Sequence, residues 1–450
     1  MGRLTPPQLL ILSFVCAILV GTAALSLPAA TRGESGISLV DGLFTATSAV
    51  CVTGLVVKDT ATNFSDFGRW VIFVLFQAGG LGIMTLSTLF AVMLGRKVGF
   101  KETDVIRSTL DRQNKILGLS KLIFYIISIT FIAEMLGALA LFLRWRAITD
   151  WSIGQLAEYS IFHSVSAFCN AGFSLFYGYS FTGFKADPFI NTTMVLLIFF
   201  GGIGFIVIMD MLGLLFRKNR PRMISLHTKL VLTVSLILVV AGAVMLLFFE
   251  KDGVMKGLSW GDRVLTSLFQ SVTARTAGFN TLDIGRLSVP SLLGLIFLMF
   301  VGASPGSTGG GIKTTTFALI VMTVLTGLKD KKKVMAFGRA VPGKIIRESM
   351  GIFFLALTWV FVFTVAMVYL GRNNPAGSGS LIRSLFETVS AFGTVGLSTG
   401  ITGDLDTASK LCIIATMFAG RVGPLTLALA IAFREKKDNF SYPEENVMVG

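Results

Sequence analysis

The sequence predicts an all-α polytopic membrane protein: four span–pore loop–span repeats around one central pore, giving eight transmembrane helices plus four re-entrant pore helices. Three observations predict it. Of 450 residues, 53% are hydrophobic and only 14% charged, against about 25% charged in a soluble domain, so a water-facing surface cannot be built from this chain. Apolar segments of spanning length occur eight times, and each bilayer crossing takes about 20 helical residues. A short motif recurs between the two segments of each successive pair.

The segments fall near 8–28, 70–95, 121–143, 190–216, 228–249, 289–326, 348–370 and 408–433, and only the sixth reads as interrupted. The first follows Arg3 and precedes Ala29 and Ala30, which invites the reading of a cleaved secretion signal. Its apolar stretch is longer than the roughly 7–15 residues of a signal core, and it fits the repeat as a retained span. Between the paired segments lie stretches too short and polar to cross, which suits helices that dip into the membrane and return.

Those stretches share one spacing. Phe44 to Gly54, Phe162 to Gly172 and Phe386 to Gly396 all read Phe-x3-Ser-Ala-x4-Gly; the third copy, Phe269 to Gly278, has Thr273 for Ser and is one residue shorter before its glycine. Each glycine is followed by a large apolar residue: Leu55, Phe173, Phe279 and Leu397. Short helices are expected at 42–50, 156–168, 262–273 and 381–391. The second spans carry a weaker common mark, Gly80, Gly202, Gly302 and Gly420, for which helix packing through small residues is sufficient reason in the first two. The repeats are then 1–95, 96–216, 217–327 with a broken second span, and 328–450 with a C-terminal tail.

The net charge of +14 bears on topology rather than on nucleic acid. Of 39 Lys and Arg, 23 fall at Arg3 and in 96–121, 217–229, 328–347 and 434–437, alternate sides of the eight segments. Basic residues collect on the cytoplasmic face, so both termini are expected there and the short helices enter from outside. Cys16, Cys51, Cys169 and Cys412 have no paired spacing, and His163 and His227 are too few for a His-based metal site.

Non-helical backbone at membrane depth survives only when buried or lining a watery cavity. Four such strips around an axis offer a ring of carbonyl oxygens in place of a cation's water shell. Glycine suits each strip because a left-handed backbone turns its carbonyl inward with no side chain to fill the pore. The partially negative C-terminal ends of the short helices, pointing in, favour a cation as well.

The tetrapeptides Cys51-Val52-Thr53-Gly54, Cys169-Asn170-Ala171-Gly172, Arg275-Thr276-Ala277-Gly278 and Gly393-Thr394-Val395-Gly396 resemble the four degenerate filter strips of the Trk/Ktr/HKT superfamily of potassium transporters. Over essentially the whole chain the similarity is to its KtrB-type pore subunits, carried also by Ala274-Arg-Thr-Ala-Gly-Phe-Asn280 and Gly420-Arg-Val-Gly-Pro-Leu425. The resemblance implies K+ at the backbone carbonyls of Val52, Asn170, Thr276 and Thr394. It implies potassium uptake across the plasma membrane, stimulated by sodium, because glycine at all four filter positions goes with potassium in this superfamily. No covalent cofactor is implied; K+ and Na+ are the transported ions. Also implied are a homodimer with one pore per chain, the tail 442–450 at its interface, and a separate cytosolic nucleotide-binding ring of KtrA/TrkA type docked on 96–121, 217–229 and 328–347.

The sixth segment is broken by Gly302-Ala303-Ser304-Pro305-Gly306-Ser307-Thr308-Gly309-Gly310-Gly311, followed by Ile312 and Lys313. Five glycines and a proline forbid a continuous helix. A phosphate-binding P-loop is excluded because Ile312 separates Gly311 from Lys313 and no strand precedes it. A flexible membrane-embedded loop remains, similar to the superfamily's intramembrane gate. Lys313 faces a watery vestibule or snorkels to the interface. Arg421, in the middle of the last segment, needs a polar cavity or partner; it reads as a positive barrier below the filter that acts with the loop, against a purely structural pairing. Arg275 is expected to point behind the filter to an acidic residue, with Asp283 nearby in sequence. His163 reads as a packed residue, His227 as a weak candidate for a cytoplasmic partner contact, and Glu134 as a lone packed or vestibule carboxylate. Cys51 and Cys169, at equivalent positions, are expected to act through backbone rather than thiol.

A gated channel, non-selective or sodium-permeable, is the alternative, although no Arg-rich voltage-sensing span is present. An inverted-repeat solute transporter disagrees with four loops entering from one side. An ion-pumping ATPase lacks its nucleotide and phosphorylation motifs, and an intramembrane enzyme lacks paired carboxylates or a Ser-His set, so the chain reads as no enzyme.

Overall fold

A serine begins each of the four short helices foreseen between the spans: Ser38, Ser152, Ser259 and Ser380. In the first three its hydroxyl accepts the backbone N–H three residues on, from Asp41 at 3.1 Å, Gln155 at 3.3 Å and Asp262 at 3.2 Å. That satisfies one of the donors a helix start leaves unpaired. The computed structural model describes residues 6–33, 36–82, 119–177, 181–216, 224–329, 333–373 and 379–423.

Among the described residues the chain forms fourteen α-helices and one two-stranded hairpin. The first unit is α1 (Pro6–Leu25), the short α2 (Leu39–Val50) and α3 (Asp66–Leu81). The second is α4 (Leu119–Ile148), the short α5 (Ile153–Phe168), α6 (Pro188–Ile203) and α7 (Phe205–Phe216). The third is α8 (Leu226–Glu250), the short α9 (Trp260–Thr273), α10 (Val289–Phe300) and α11 (Thr314–Leu328). After the hairpin β1–β2 (Met335–Ala336 and Arg339–Ala340), α12 (Gly343–Leu370), the short α13 (Leu381–Gly393) and α14 (Thr407–Val422) follow. Ile123–Ile148, Leu226–Glu250 and Gly343–Leu370 are each long and apolar enough to cross a bilayer. Their outer faces carry exposed Phe, Leu, Val and Ile, as Phe131, Leu236 and Phe361 illustrate, which is the surface that lipid rather than water covers.

The segment after α1 belongs to the fold. The Ala29 carbonyl accepts the Ser65 hydroxyl at 2.6 Å, Ala30 is fully buried, and Thr31 pairs with Phe64. The sixth segment breaks between α10 and α11, each too short to cross alone, as the glycines foretold. A second break was not foreseen: the fourth segment, 190–216, is two helices meeting at 101°. The cause is Gly204, at φ +91°, which ends α6 in a conformation that other residues rarely adopt. Gly82 and Gly423 end α3 and α14 with nearly the same dihedrals, φ +79° and +90°. The expected continuations of those spans to 95 and 433, the basic stretch 96–118, residues 217–223 and the tail 442–450 lie outside the described residues.

Candidate functional site

The short helices end where the four tetrapeptides begin, and the backbone leaves them by one device. The carbonyl of Ser48, Ser166 and Ser390 accepts the N–H five residues on, from Thr53 (2.7 Å), Ala171 (2.8 Å) and Val395 (2.8 Å). In the third unit, one residue shorter, Thr273 O accepts from Ala277 at 2.9 Å. The backbone carbonyl at the motif's Ser or Thr position thus brakes the chain as it turns out of the helix. In every strip the second residue is left-handed: Val52 (φ +56°), Asn170 (+57°), Thr276 (+86°) and Thr394 (+49°). So is the fourth: Gly54 (+85°), Gly172 (+70°), Gly278 (+80°) and Gly396 (+91°). Four non-glycine residues in this region are costly, at about 1–2 kcal/mol each, and they persist because the surroundings fix them.

The glycines pack in a closed cycle. A Cβ on Gly54 would lie 2.6 Å from Ala171 O, one on Gly172 would lie 2.9 Å from Ala277 O, one on Gly278 would strike Val395 O, and one on Gly396 would strike Thr53 O. Each strip's glycine therefore abuts the third residue of the next, in the order first, second, third, fourth, first. Any side chain there collides with backbone. Among the described residues no hydrogen bond is accepted by the carbonyls of Val52, Asn170, Thr276 or Thr394, the oxygens assigned from the sequence to K+.

The loop 302–313 lies directly against the second residues of the strips. Thr308 Oγ1 meets the Asn170 amide at 3.2 Å, Gly309 sits against Thr276, and Gly310 N–H donates to Thr394 Oγ1 at 3.0 Å. Val52 packs instead on Gly79 of α3. The loop is tied on its other side to the broken second span: Ser304 N–H donates to Gly202 O at 3.0 Å, Thr308 N–H to Gly201 O at 3.2 Å, and Phe205 N–H to Gly306 O at 3.0 Å. Ala303, Ser304 and Thr308 are buried, while Pro305, Gly306 and Ser307 are half-buried. Ser304 and Thr314 hydroxyls pair at 3.0 Å across the loop's neck, and Gly302 and Gly311 approach so closely that Gly302 has no room for a side chain.

Arg421 spans the gap that remains. One guanidinium nitrogen donates to the Thr308 carbonyl and another to the Gly79 carbonyl, so it joins the loop to the end of α3 beneath the first strip. Gly79, Gly201 and Gly420 all press on the last carbonyl before their strip, that of Val50, Phe168 and Phe392. This corrects the register read from the sequence: Gly420 matches Gly79 and Gly201, not Gly80 and Gly202. Arg421 then stands where the first two units have Gly80 and Gly202.

Residues 14–442 match the family described as "TrkH: Cation transport protein". The chain belongs to this family of cation transporters. Its relatives include "Ktr system potassium uptake protein B" of Bacillus subtilis (strain 168), 39% identical over all of this chain and 97% of that protein. "Potassium/sodium uptake protein NtpJ" of Enterococcus hirae is 36% identical over all of this chain and 98% of that one. The crystal structure of the potassium transporter TrkH from Vibrio parahaemolyticus has the same fold, with a TM-score of 0.72 over 96% of this chain and 86% of that one, at 20% identity. The chain is a polytopic membrane transporter and not an enzyme.

For a cation transporter of this family the remaining polar groups fall into place around the strips. A cavity of about 270 Å³ opens on the side away from the loop, with Gly54, Gly172, Gly278 and Gly396 at its floor and Asp283 and Asp404 among its walls. Carboxylates at such a mouth raise the local concentration of cations. Arg275 does turn away behind its strip, but the carboxylate partner expected for it is absent among the described residues: Nη1 donates to Ser235 O of α8 at 3.3 Å and Nε has no partner. Asp283 instead caps its own turn, accepting from Gly285 N–H at 3.0 Å. Lys313 is half-buried, and its ammonium donates to Gly309 O at 2.7 Å, closing the loop on itself.

Glu134 is not alone. Its Oε2 accepts from the Gln77 amide at 3.1 Å, and its Oε1 faces the Cys169 thiol at 3.6 Å. The thiol also lies 3.2 Å from Gln77 Oε1, so Cys169 has a side-chain role that its backbone position did not announce. His163 is packed as expected, stacked 4.5 Å from Phe176 and edge-on to Trp145.

Proposed function

We propose that this chain takes up K+ across the plasma membrane through the ring of four strips, stimulated by Na+ and driven by the membrane potential. The observation that carries the reading is the closed cycle of Gly54, Gly172, Gly278 and Gly396, with carbonyls at Val52, Asn170, Thr276 and Thr394 that accept no hydrogen bond among the described residues. A dehydrating alkali cation needs such a shell of oxygens. Two relatives are named for potassium and for potassium and sodium uptake, which supports both ions. An inside-negative potential supplies about 2.3 kcal/mol per charge per 100 mV, enough to concentrate a cation without a nucleotide-driven step in this chain.

The loop 302–313 and Arg421 form the gate in this reading. The loop presses on three strips from below, and Arg421 holds it there while placing a positive charge in the cation's way. The four units 1–95, 96–216, 217–327 and 328–450 act as repeats around one pore, the termini lie in the cytoplasm, and the short helices enter from outside. Two chains pair, and a cytosolic nucleotide-binding ring regulates them; relatives named as part of a Ktr system support that partner.

Growth of a potassium-uptake-deficient bacterium at low potassium, with and without sodium and with a cytosolic ring protein co-expressed, tests the reading. The intact chain restores growth and Gly278→Ser does not. Failure of the intact chain to restore growth at normal membrane abundance contradicts it.

A further inference from the structure

The motif sets a polar residue directly after its Phe in all four copies: Thr45, His163, Gln270 and Glu387. All four are fully buried. Two of them reach the same place. His163 Nδ1 lies 2.7 Å from the Tyr159 carbonyl, one turn back, and that acceptor fixes the ring proton on Nδ1. Nε2 is then the acceptor, with the N–H of Leu175 at 3.1 Å and the Ser174 hydroxyl also at 3.1 Å. Leu175 is three residues past Gly172. Glu387 Oε1 accepts the N–H of Thr399 at 3.0 Å, and Thr399 is three residues past Gly396. The same carboxylate accepts the Ser398 hydroxyl at 2.5 Å and the Thr402 hydroxyl at 2.9 Å.

The other two do not reach. Thr45 Oγ1 donates back along its own helix to Asp41 O at 2.9 Å. Among the described residues neither amide atom of Gln270 has a partner, and neither has the hydroxyl of Thr281, three residues past Gly278. In the cyclic order of the glycines, the second and fourth strips face each other across the axis. The anchored strips are therefore opposite walls, and the unanchored first and third stand between them. K+ and Na+ differ in the aperture and field strength that their carbonyl shells demand, so a wall held from behind resists closing on the smaller ion.

We propose that His163 and Glu387 are positioning residues for ion discrimination: they hold the backbone just outside the second and fourth strips and so set the preference of the ring for K+ over Na+. The inference rests on the strips being the cation filter. Its test is the ratio of K+ to Na+ uptake by the full-length chain in membrane vesicles, with membrane abundance measured alongside. His163→Ala and Glu387→Ala are expected to lower the ratio about three- to tenfold, the effect of losing one or two buried hydrogen bonds. Glu387→Gln keeps an oxygen for Thr399 and holds the ratio within about twofold, and Gln270→Leu leaves it unchanged.

A purely structural role would instead lower abundance and scale both ions together. If the alanine variants fail to reach the membrane, Glu387→Asp and His163→Asn, too short to reach Thr399 and Leu175, are read for the same ratio. Wild-type ratios in the anchor-breaking variants, or an equal shift in Gln270→Leu, overturn the proposal. An intact chain that moves neither ion overturns the filter reading itself, and the inference with it.

Discussion

At the scale of single residues, the two ends of each strip impose different demands. Gly172 has φ +70°, and a Cβ there would lie 2.9 Å from Ala277 O and 3.2 Å from Gly54 Cα. Gly172→Ala is expected to cut potassium uptake at least tenfold at normal abundance, since strain and collision together exceed about 1.4 kcal/mol, as flux assays would register. Arg421 makes the opposite prediction. A unit charge near a cation at about 10 Å and an effective dielectric of about 20 raises its energy by about 1.7 kcal/mol. Arg421→Ala removes that charge and frees the loop, so flux should rise roughly tenfold; unchanged flux with normal expression denies the gate role. The sequence announced these residues because glycine spacing and a charge inside an apolar segment are local signals. It could not announce the partner of Arg275. Ser235 arrives from α8, 40 residues earlier, and a carbonyl acceptor leaves no mark on a sequence.

Helices and loops carry a second set of consequences. The bend of 101° at Gly204 seats Phe205 N–H on Gly306 O, so the break in the fourth segment and the loop in the sixth form one unit. A Cβ at residue 204 would lie 2.5 Å from Pro305 O. Gly204→Ala should therefore loosen the loop and raise leak flux while leaving the strips intact, a change that a higher K+ flux with an unaltered ratio of K+ to Na+ uptake would reveal. The break was legible only in part. Gly201-Gly202-Ile203-Gly204 is printed in the sequence, but an unbroken apolar run masks it, whereas the sixth segment adds proline and hydroxyl residues. The glycines pressing on the strip carbonyls misled for a related reason: Arg421 occupies the site of Gly80 and Gly202, so matching glycine to glycine slipped the register by one.

Across the molecule, the first and last units are joined by a buried ion pair, Lys410 Nζ to Asp41 Oδ1 at 2.7 Å, between α14 and α2. Both side chains are at most 15% exposed, so breaking one partner leaves an uncompensated charge at about 3–5 kcal/mol. Lys410→Met should lower the midpoint of thermal unfolding in detergent, and Asp41→Asn with Lys410→Met should recover most of the loss. The fold class was legible because composition and the repeated Phe-x3-Ser-Ala-x4-Gly motif act along the whole chain. The cyclic packing of the strips was not, because it depends on contacts between residues more than one hundred positions apart. Passage of K+ through that cycle is the proposal on which the other functional predictions depend. It is tested most directly by K+ flux into proteoliposomes under an inside-negative potential, comparing the intact chain with Gly172→Ala. The intact chain is expected to show potential-driven K+ uptake that the substitution cuts at least tenfold, whereas equal uptake by both at equal protein content rules out passage through the ring.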